Sequence, residues 1–419
     1  MNKVLVIGRG GREHALAWKF SKSASVDAVY VAPGNKGMAD LATPVDIDEN
    51  DFDTLIDFAK KEAISLTVIG PEVPLVNGIV DRFLQEGLAV FGPKAAAAVI
   101  EGSKSFTKDL MKKHGIPTAT YEVFTDYGKA CQYVETAAMP TVVKADGLAA
   151  GKGVVIANSR EEARQALGEM MLDGKFGEAN RTVVVEEFLE GEEFSFIAFV
   201  NGDKVYPMAL SQDHKRAFDD DKGPNTGGMG AYSPVPQIGE DAVKIATQDI
   251  LVKTARAMVS EGRSFTGFLY AGLIATKQGP KVIEFNARLG DPEAQVLLPR
   301  LESDLFEAIM ALLKGETATL QWSDDAVIGV VLGSKGYPGT YPTGFPIEGL
   351  DDLKDDTLVF HCGTDHRDGK CVTNGGRVLL VARKAPTLAL AQKDVYEETK
   401  KIRCDNLFYR TDIGKKGMP

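Results

Sequence analysis

Four cysteines occur in 419 residues: Cys131, Cys362, Cys371 and Cys404. Their spacing is irregular, which excludes a disulfide framework and fits a reducing cytoplasm. Histidine (5) is almost as scarce and tryptophan (2) scarcer still. Two of the histidines and two of the cysteines gather in "HCGTDHRDGKC" (His361 to Cys371). That run lacks the paired C-x-x-C of fingers and ribbons, and it reads as surface loop with small buried thiols sooner than as a zinc site. Basic residues are in deficit, 48 against 59 acidic, for a net charge of −11. A nucleic-acid partner, which needs a broad basic face, is therefore not expected. No apolar run approaches the ~18 residues of a membrane span, so no membrane partner is expected either. "MNKVLVIGRGG" ends in glycines without a cleavage-site pattern and reads as a first strand, not a signal peptide.

The remaining composition, 44% hydrophobic and 26% charged, is that of a globular chain of two to four domains. The first ~100 residues alternate in the βαβ manner. "KVLVIG", "DAVYVA", "SLTVIG" and "LAVFG" are strands; "REHALAWKFSKS", "FDTLIDFAKKE" and "PLVNGIVDRFLQEG" are helices. Continuously apolar strands followed by Gly8, Gly34, Gly70 and Gly92 imply a parallel sheet buried on both faces, with ligands at the strands' carboxyl ends. The opening "GRGGRE" is close to the dinucleotide fingerprint, but Glu13 stands where the third glycine belongs. That leaves a tight turn or an anion site at a helix N-terminus. Ser103 caps a helix running through Met111 and ending near Gly115. Residues 121–193 form a compact α+β segment, followed by longer β-runs to about residue 325 and a final unit beginning "AVIGVVLG".

"VVKADGLAAGKGVVIA" (Val142 to Ala157) has the glycines and lysines of a phosphate loop. It misses the P-loop rule by one residue and by the metal-binding hydroxyl. Lys144 follows an apolar strand, so its buried ammonium needs an anion. Gly147, Ala149, Ala150 and Gly151 can close backbone over phosphates, while Lys152 is a phosphate partner or a solvated charge. In "KVIEFNARLGDPEAQ", strand alternation puts Val282, Glu284, Asn286 and Arg288 on one face and Ile283, Phe285 and Ala287 on the other. Glu284 and Asn286 could meet at Mg²⁺; the alternative is a solvated strand face. "TVVVEEFLEGEE" ends an apolar strand in Glu186 and Glu187. Backbone groups at Glu187 and Leu189 could match an adenine edge, with Glu193 at the ribose, unless this is a solvated acidic turn. The loop Ser211 to Pro236 is long enough to be functional. Its Asp213, His214, Lys215 and Arg216 suit a polar substrate with amine and anion, and Asp219, Asp220 and Asp221 are expected to stay solvated.

Taken in order, "GRGGREHA", "APGN", "GPEVPLVNGIVD", "EGSKSFTK", "KADGLAAGKGV", "EEFLEGEEFSF", "DHKRAFDDDKGPNTGGMGAYSPVP", "EFNARLGDPEAQVLLPRLESDL" and "FYRTDIG" resemble the glycinamide ribonucleotide synthetase family of the ATP-grasp superfamily. The resemblance spans Gly8 to Gly414. It implies an α/β and α+β multidomain fold. Residues 1–102 would form an N-terminal parallel-sheet (pre-ATP-grasp) domain. Residues 103–325 would form an ATP-grasp domain with a lid subdomain at about 121–187, and 326–419 a β-rich C-terminal domain. It further implies that ATP and Mg²⁺ or Mn²⁺ are used to ligate glycine to 5-phosphoribosylamine in purine synthesis, by a cytoplasmic enzyme acting as a monomer.

Carried over by position, Lys104, Lys144, Gly147, Ala150, Gly151, Gly153, Glu186, Glu187, Leu189 and Glu193 serve the nucleotide. Glu284 and Asn286 serve the metal, and Arg288, Lys215 and Asp213 the reacting groups. Gly10, Glu13, His214, Asn225, Thr226, Gly227, Gly228, Gly290, Asp291, Pro292 and Glu293 serve the substrates. A further acidic ligand common in the superfamily is missing from "YAGLIAT". The rivals are another ATP-grasp ligase such as a bicarbonate-using carboxylase subunit, a nucleotide-binding regulator, and a dehydrogenase.

Overall fold

The computed structural model describes residues 1–148, 153–173 and 181–418. Its first sheet holds β1 (Lys3–Gly8), β2 (Ala28–Pro33), β3 (Thr43–Pro44), β4 (Leu66–Ile69) and β5 (Val90–Phe91), all parallel, in the order β3-β2-β1-β4-β5. The order turns back between β1 and β4, so Gly8 and Gly70 border the crevice in which such sheets bind ligands. The helix Gly11–Ser21 starts there. Glu13 folds back so that its Oε2 accepts from the Gly10 N–H at 2.7 Å, while Oε1 accepts from Arg12 Nε at 2.6 Å. Its side chain lies over Gly8 and Gly70, where any added Cβ would collide with it. A carboxylate therefore fills the close-packing space that a third glycine leaves open in dinucleotide sites. The short β3 carries no apolar run and escaped the sequence pattern. The helix expected over "PLVNGIVDRFLQEG" is two, Glu72–Val76 and Ile79–Gln85, parted by Gly78 at φ 89°, a left-handed conformation that glycine adopts without strain.

Ser103 caps the helix Lys104–His114, its Oγ accepting from the Phe106 N–H at 3.2 Å, and Gly115 ends it at φ 63°. Next come β6 (Tyr121–Phe124), β7 (Thr141–Ala145), β8 (Val154–Ala157) and β9 (Val183–Glu187), an antiparallel sheet ordered β6-β9-β7-β8. It has its own small core, Val143, Val183 and Val185 against Leu167 and Met170 of the helix Arg160–Met171.

The chain continues through β10 (Glu192–Asn201), β11 (Lys204–Pro207), β12 (Gln212–Asp213), β13 (Arg216–Phe218), β14 (Lys222–Asn225), β15 (Gly230–Ser233), β16 (Thr266–Thr276) and β17 (Gly279–Asn286). Strands β11-β10-β16-β17 form a second antiparallel sheet, and β13 and β14 form a hairpin. Beyond them lie β18 (Ala326–Ser334), β19 (Leu358–His361), β20 (Thr364–Arg367), β21 (Lys370–Thr373), β22 (Arg377–Ala385) and β23 (Leu407–Phe408). The last large sheet runs β12-β15-β18-β22-β19, with β23 on β18. It takes β12 and β15 from the earlier loop, which ties that loop to the C-terminal strands.

Strand β17 breaks the expected alternation. Gly272 of β16 pairs with Glu284 but Leu273 pairs with Val282, a bulge at Ile283. The extra residue shifts the parity. Val282 therefore joins Phe285 and Ala287 in the core, and the expected grouping of Val282 with Glu284 is corrected. Glu284 and Asn286 keep their common face.

Candidate functional site

Lys144, near the end of β7, donates to Glu186 Oε2 and to the Ile283 carbonyl, both at 3.1 Å. The anion its buried ammonium requires is thus Glu186 on the neighbouring strand. Glu186 also takes Lys108 Nζ at 2.9 Å, and both side chains are buried. Lys108 donates to Thr118 Oγ1 at 2.8 Å, and burial pushes its pKa down to about 8 against the pull of Glu186. Sequence reasoning missed Lys108. The available signal was its position one helical turn after Lys104, on the face turned toward the sheet.

Asp146, also missed, caps this helix from outside. Its Oδ1 accepts from the N–H groups of Lys104 at 2.6 Å and Ser105 at 3.2 Å, and its Oδ2 from Ser105 Oγ at 2.6 Å. Lys104 Nζ donates to the Gly147 carbonyl at 2.7 Å, and burial lowers its pKa. The Gly153 carbonyl accepts from the Ala145 N–H at 2.8 Å. Ala149, Ala150, Gly151 and Lys152 lie outside the described residues. Glu187 departs from expectation: its N–H donates to the Thr120 carbonyl at 3.0 Å and its Oε1 accepts from the Thr120 N–H at 2.9 Å. Pairing with the chain before β6 continues one residue past the strand and closes that edge. Leu189 makes no backbone hydrogen bond with another described residue, so the open edge is there.

Glu284 sits between the two ends of the site. Its carboxylate accepts no hydrogen bond among the described residues. Burial favours the neutral acid, but Lys215, Lys144, Lys104 and Arg288 outweigh it and hold the pKa below the ordinary value. A carboxylate without donors, two residues from the Asn286 amide oxygen, fits a hard divalent cation. Gly272 faces it across the strands, and a Cβ there would lie 3.2 Å from Glu284 Cγ, which explains why "YAGLIAT" carries no acid at this point. Arg288 is anchored elsewhere, 3.2 Å from Glu101 and 3.6 Å from Glu72, with its guanidinium 6.0 Å from the Tyr270 ring centre. These acids raise its pKa against burial. One donor bond, at 3.4 Å, reaches Asn286 Oδ1.

Lys215 Nζ lies 3.1 Å from Glu193 and 3.9 Å from Asp213. Burial pushes Asp213 up to about 7 against the pull of Lys215. His214 lies in the link between β12 and β13. Its ring is buried beside Tyr232, 5.9 Å between centres, with neither nitrogen hydrogen-bonded. Burial, reinforced by Arg410, lowers its pKa to about 3. His214, expected to meet substrate, instead packs its ring beside Tyr232, and the ring makes no hydrogen bond with Asp213 or Lys215.

At the far end Asp291 faces Arg377 at 3.3 Å and accepts from Gln295 Nε2 at 2.8 Å. Burial works against it, yet Arg377 and Arg12 keep its carboxyl below the usual range. Arg377 Nη1 also donates to the carbonyls of Gly227 at 2.8 Å and Asp291 at 2.9 Å. Gly228 is pressed on Pro292, where a Cβ would lie 2.5 Å from the ring. Thr226 donates from both N–H and Oγ1 to the Lys215 carbonyl, each at 2.8 Å, and Asn225 pairs with Arg216. Glu293 closes over Gly290 and accepts from Ser195 Oγ and Tyr270 OH, each at 2.9 Å. Glu13 is fully engaged by Gly10 and Arg12 and so holds the turn, while Arg12 Nη1 reaches the Leu289 carbonyl at 3.2 Å. Arg12 and Arg377 were not foreseen: Arg12 stands within "GRGGRE" but its partner carbonyl is far off in sequence, and Arg377 lies in no quoted motif. Cys362 packs on the same first turn, 2.6 Å from where a Gly11 Cβ would stand; a small side chain is all that fits.

Family models of phosphoribosylglycinamide synthetase match three consecutive stretches: the N domain over residues 2–101, the ATP-grasp (A) domain over 102–294 and the C domain over 327–416. The chain belongs to the phosphoribosylglycinamide synthetase family. Among relatives, a phosphoribosylamine–glycine ligase of Halalkalibacterium halodurans is 61% identical over 99% of this chain and 97% of that protein. The Escherichia coli O157:H7 ligase of the same name is 51% identical over 99% of each. The crystal structure of the Thermotoga maritima phosphoribosylamine–glycine ligase has TM-score 0.86 at 35% identity, covering 98% of this chain and 100% of that one. A Campylobacter jejuni biotin carboxylase, in a β,γ-ATP complex, has TM-score 0.77 at 13% identity over 99% of this chain and 94% of that one; this likeness shows the fold alone. Like the phosphoribosylglycinamide synthetase family, the chain combines N, ATP-grasp and C domains in a mixed α/β architecture and is an ATP-using ligase. Among the described residues, no helix is long and apolar enough to cross a membrane.

Proposed function

We propose that this chain ligates glycine to 5-phosphoribosylamine, converting ATP to ADP and phosphate and forming glycinamide ribonucleotide for purine synthesis. The observation that carries this is Glu284, a carboxylate without hydrogen-bond donors among Lys215, Lys144 and Lys104, lying between the nucleotide end and the acceptor end. Glycine's carboxylate is anionic and lacks a leaving group. Its oxygen attacks the γ-phosphorus, ADP departs, and a glycyl phosphate results. The phosphoribosylamine nitrogen then attacks the carbonyl carbon, the C–O bond to phosphate breaks, and the nitrogen gives up a proton. Both steps ask for positioning and charge neutralisation more than for covalent help from the protein.

We assign Lys104 and Lys144 to the phosphates, Glu186 and Leu189 to adenine, and Glu193 to the ribose. Lys215 and Arg288 would offset charge on the transferred group, and Asp213, with a pKa near neutrality, is our choice to receive the amine's proton. Glu284 and Asn286 would hold Mg²⁺ or Mn²⁺, which when bound supplies Lewis-acid neutralisation of phosphate oxygens. Asp291, Arg377 and the 225–228 turn would hold the acceptor. Backbone approach at Gly10 supports a part for that turn as well. We set the domain limits at 1–102, 103–325 and 326–419, with residues 121–187 as the lid, consistent with the four-stranded sheet in that interval. Four free thiols support a cytoplasmic setting, and we take the active unit to be a monomer.

The test is ADP release with each component left out in turn. It should require glycine and a divalent cation and run to completion only with freshly made phosphoribosylamine. AMP as product, or dependence on bicarbonate instead of glycine, would sink the assignment.

A further inference from the structure

Of the three aspartates expected to stay solvated, Asp220 and Asp221 are exposed as expected, but the segment that carries them is not free. Asp219, Asp220 and Asp221 form the tip of the β13–β14 hairpin, and the chain's C-terminal segment is fastened across them. Asp219 takes the Thr411 N–H at 2.8 Å, the Asp220 N–H donates to Asp412 Oδ2 at 2.9 Å, and Asp221 takes Lys416 Nζ at 2.7 Å. Asp220 and Asp221 are held at φ 58° and 52°, a left-handed conformation uncommon outside glycine. Phe218 and Phe408 meet beside them, ring centres 5.9 Å apart.

Arg410 is the centre of this fastening and is only 1% exposed. Its Nε and Nη2 grip the two oxygens of Asp412, each at 2.7 Å, while Nη1 donates to Asp221 Oδ1 and to the Arg216 carbonyl, each at 3.0 Å. A buried guanidinium is expensive unless its donors are met, and here the donors span the tip and the base of one hairpin. The base is where the site begins. Arg216 follows Lys215, whose Nζ joins Glu193 and Asp213 and whose carbonyl holds Thr226.

We propose that Arg410 is a positioning residue for the acceptor half of the site: it fixes the hairpin base through the Arg216 carbonyl and so sets Asp213, Lys215 and the 226–228 turn. This rests on the function proposed above. The nucleotide residues Lys104, Lys144 and Glu186 lie on the helix Lys104–His114 and the β6–β9 sheet, outside the hairpin that Arg410 holds, and among the described nucleotide residues Glu193 alone touches it, through Lys215. Loss of Arg410 therefore separates the two halves.

In Arg410→Ala, kcat/KM for phosphoribosylamine and glycine should fall about 10–100-fold, the scale of a small misplacement, with the KM for ATP changed less than about twofold. Arg410→Lys, which keeps the charge but lacks the fork, should recover only part of this. Amide hydrogen exchange should quicken across residues 213–228 and stay unchanged in 141–145. If Arg410→Ala does not fold, the pair Asp221→Asn with Thr411→Val, which leaves Arg410 on Asp412, should show the same split more weakly. Unchanged kinetics in the folded variant, or equal losses for all three substrates that follow the fall in melting temperature, overturn the proposal. A wild-type protein that never releases ADP in response to glycine sinks the function instead. In that case the exchange pattern alone decides on Arg410, and uniform exchange overturns its role.

Discussion

At the nucleotide end the charges are matched within the protein: Lys144 and Lys108 share Glu186, and Lys104 rests on the Gly147 carbonyl. At the acceptor end the pairing is drawn from remote segments, Arg377 holding both the Asp291 carboxylate and the Gly227 carbonyl. Glu284, between them, is left with positive charges nearby and no hydrogen bond to any described residue. On the assignment proposed above, Lys144 would turn to phosphate, and Glu186 stabilises the site when empty. Glu284 has no such structural duty, so its substitution should harm chemistry and spare the fold. Both carboxylates sit on strands among apolar residues, so position alone does not separate Glu186 from Glu284; their partners do.

The sharpest break of this contrast is Glu284→Ala. Turnover should drop about 10⁴-fold, roughly 5 kcal/mol on the barrier, while the melting temperature stays within a few degrees of wild type. ADP release and thermal denaturation check both halves. Near-normal turnover would remove Glu284 from the metal site, and a large loss of stability would show that it is structural after all.

Glu186→Ala should do the reverse in its first effect. It leaves the buried ammoniums of Lys108 and Lys144 without their carboxylate, a change that costs about 3–5 kcal/mol, read as a lower urea midpoint. If the variant is as stable as wild type, the nucleotide end is not pre-paired in the way described.

Lys108 sharpens the same point through pH. Burial lowers its pKa to about 8 from an unfolded value near 10.5. Below pH 8 both states carry the proton, and the unfavourable burial of the charge is fully present. Between pH 8 and 10.5 the unfolded chain binds more protons than the folded one, so this group's contribution to stability improves as pH rises. Lys108→Met lacks that term. The stability of wild type relative to Lys108→Met should therefore rise by on the order of 3 kcal/mol across the window. Paired urea titrations at about pH 7.5 and 10 would show it, and a constant difference would contradict the burial of a charged Lys108.

What the sequence disclosed follows the same division. The nucleotide end is built from neighbouring strands, so Lys144 and Glu186 stand out beside apolar runs, and the parallel sheet was legible because each strand is apolar and ends in glycine. Glu284 and Asn286 were legible as polar residues on an apolar strand, although the bulge at Ile283 moved Val282 to the other face. A bulge leaves no mark in composition. Lys108 and Asp146 were hidden because a buried polar residue is recognised by its partner, and their partners are over 40 positions away. The strap across this hairpin tip was hidden for that reason too: Asp219 and Asp221 read as unengaged until Thr411 and Lys416 are seen beside them.

Arg377 is the smallest of these tests and bears on the acceptor end alone. It lies at the start of β22, contributed by the C-terminal sheet, yet it holds the Asp291 carboxylate and the Gly227 carbonyl together. In Arg377→Ala the carboxylate loses its cation but keeps Gln295 and the field of Arg12, and both groups retain some access to water. The loss should therefore be one of placement, about 10–100-fold in kcat/KM for phosphoribosylamine, with little change in the KM for ATP. Arg377→Lys should recover part of the charge effect and none of the forked contact to Gly227 and Asp291. An equal rise in the KM for ATP would mean that the two ends are mechanically one unit, and the contrast between a pre-paired nucleotide end and an assembled acceptor end would fail.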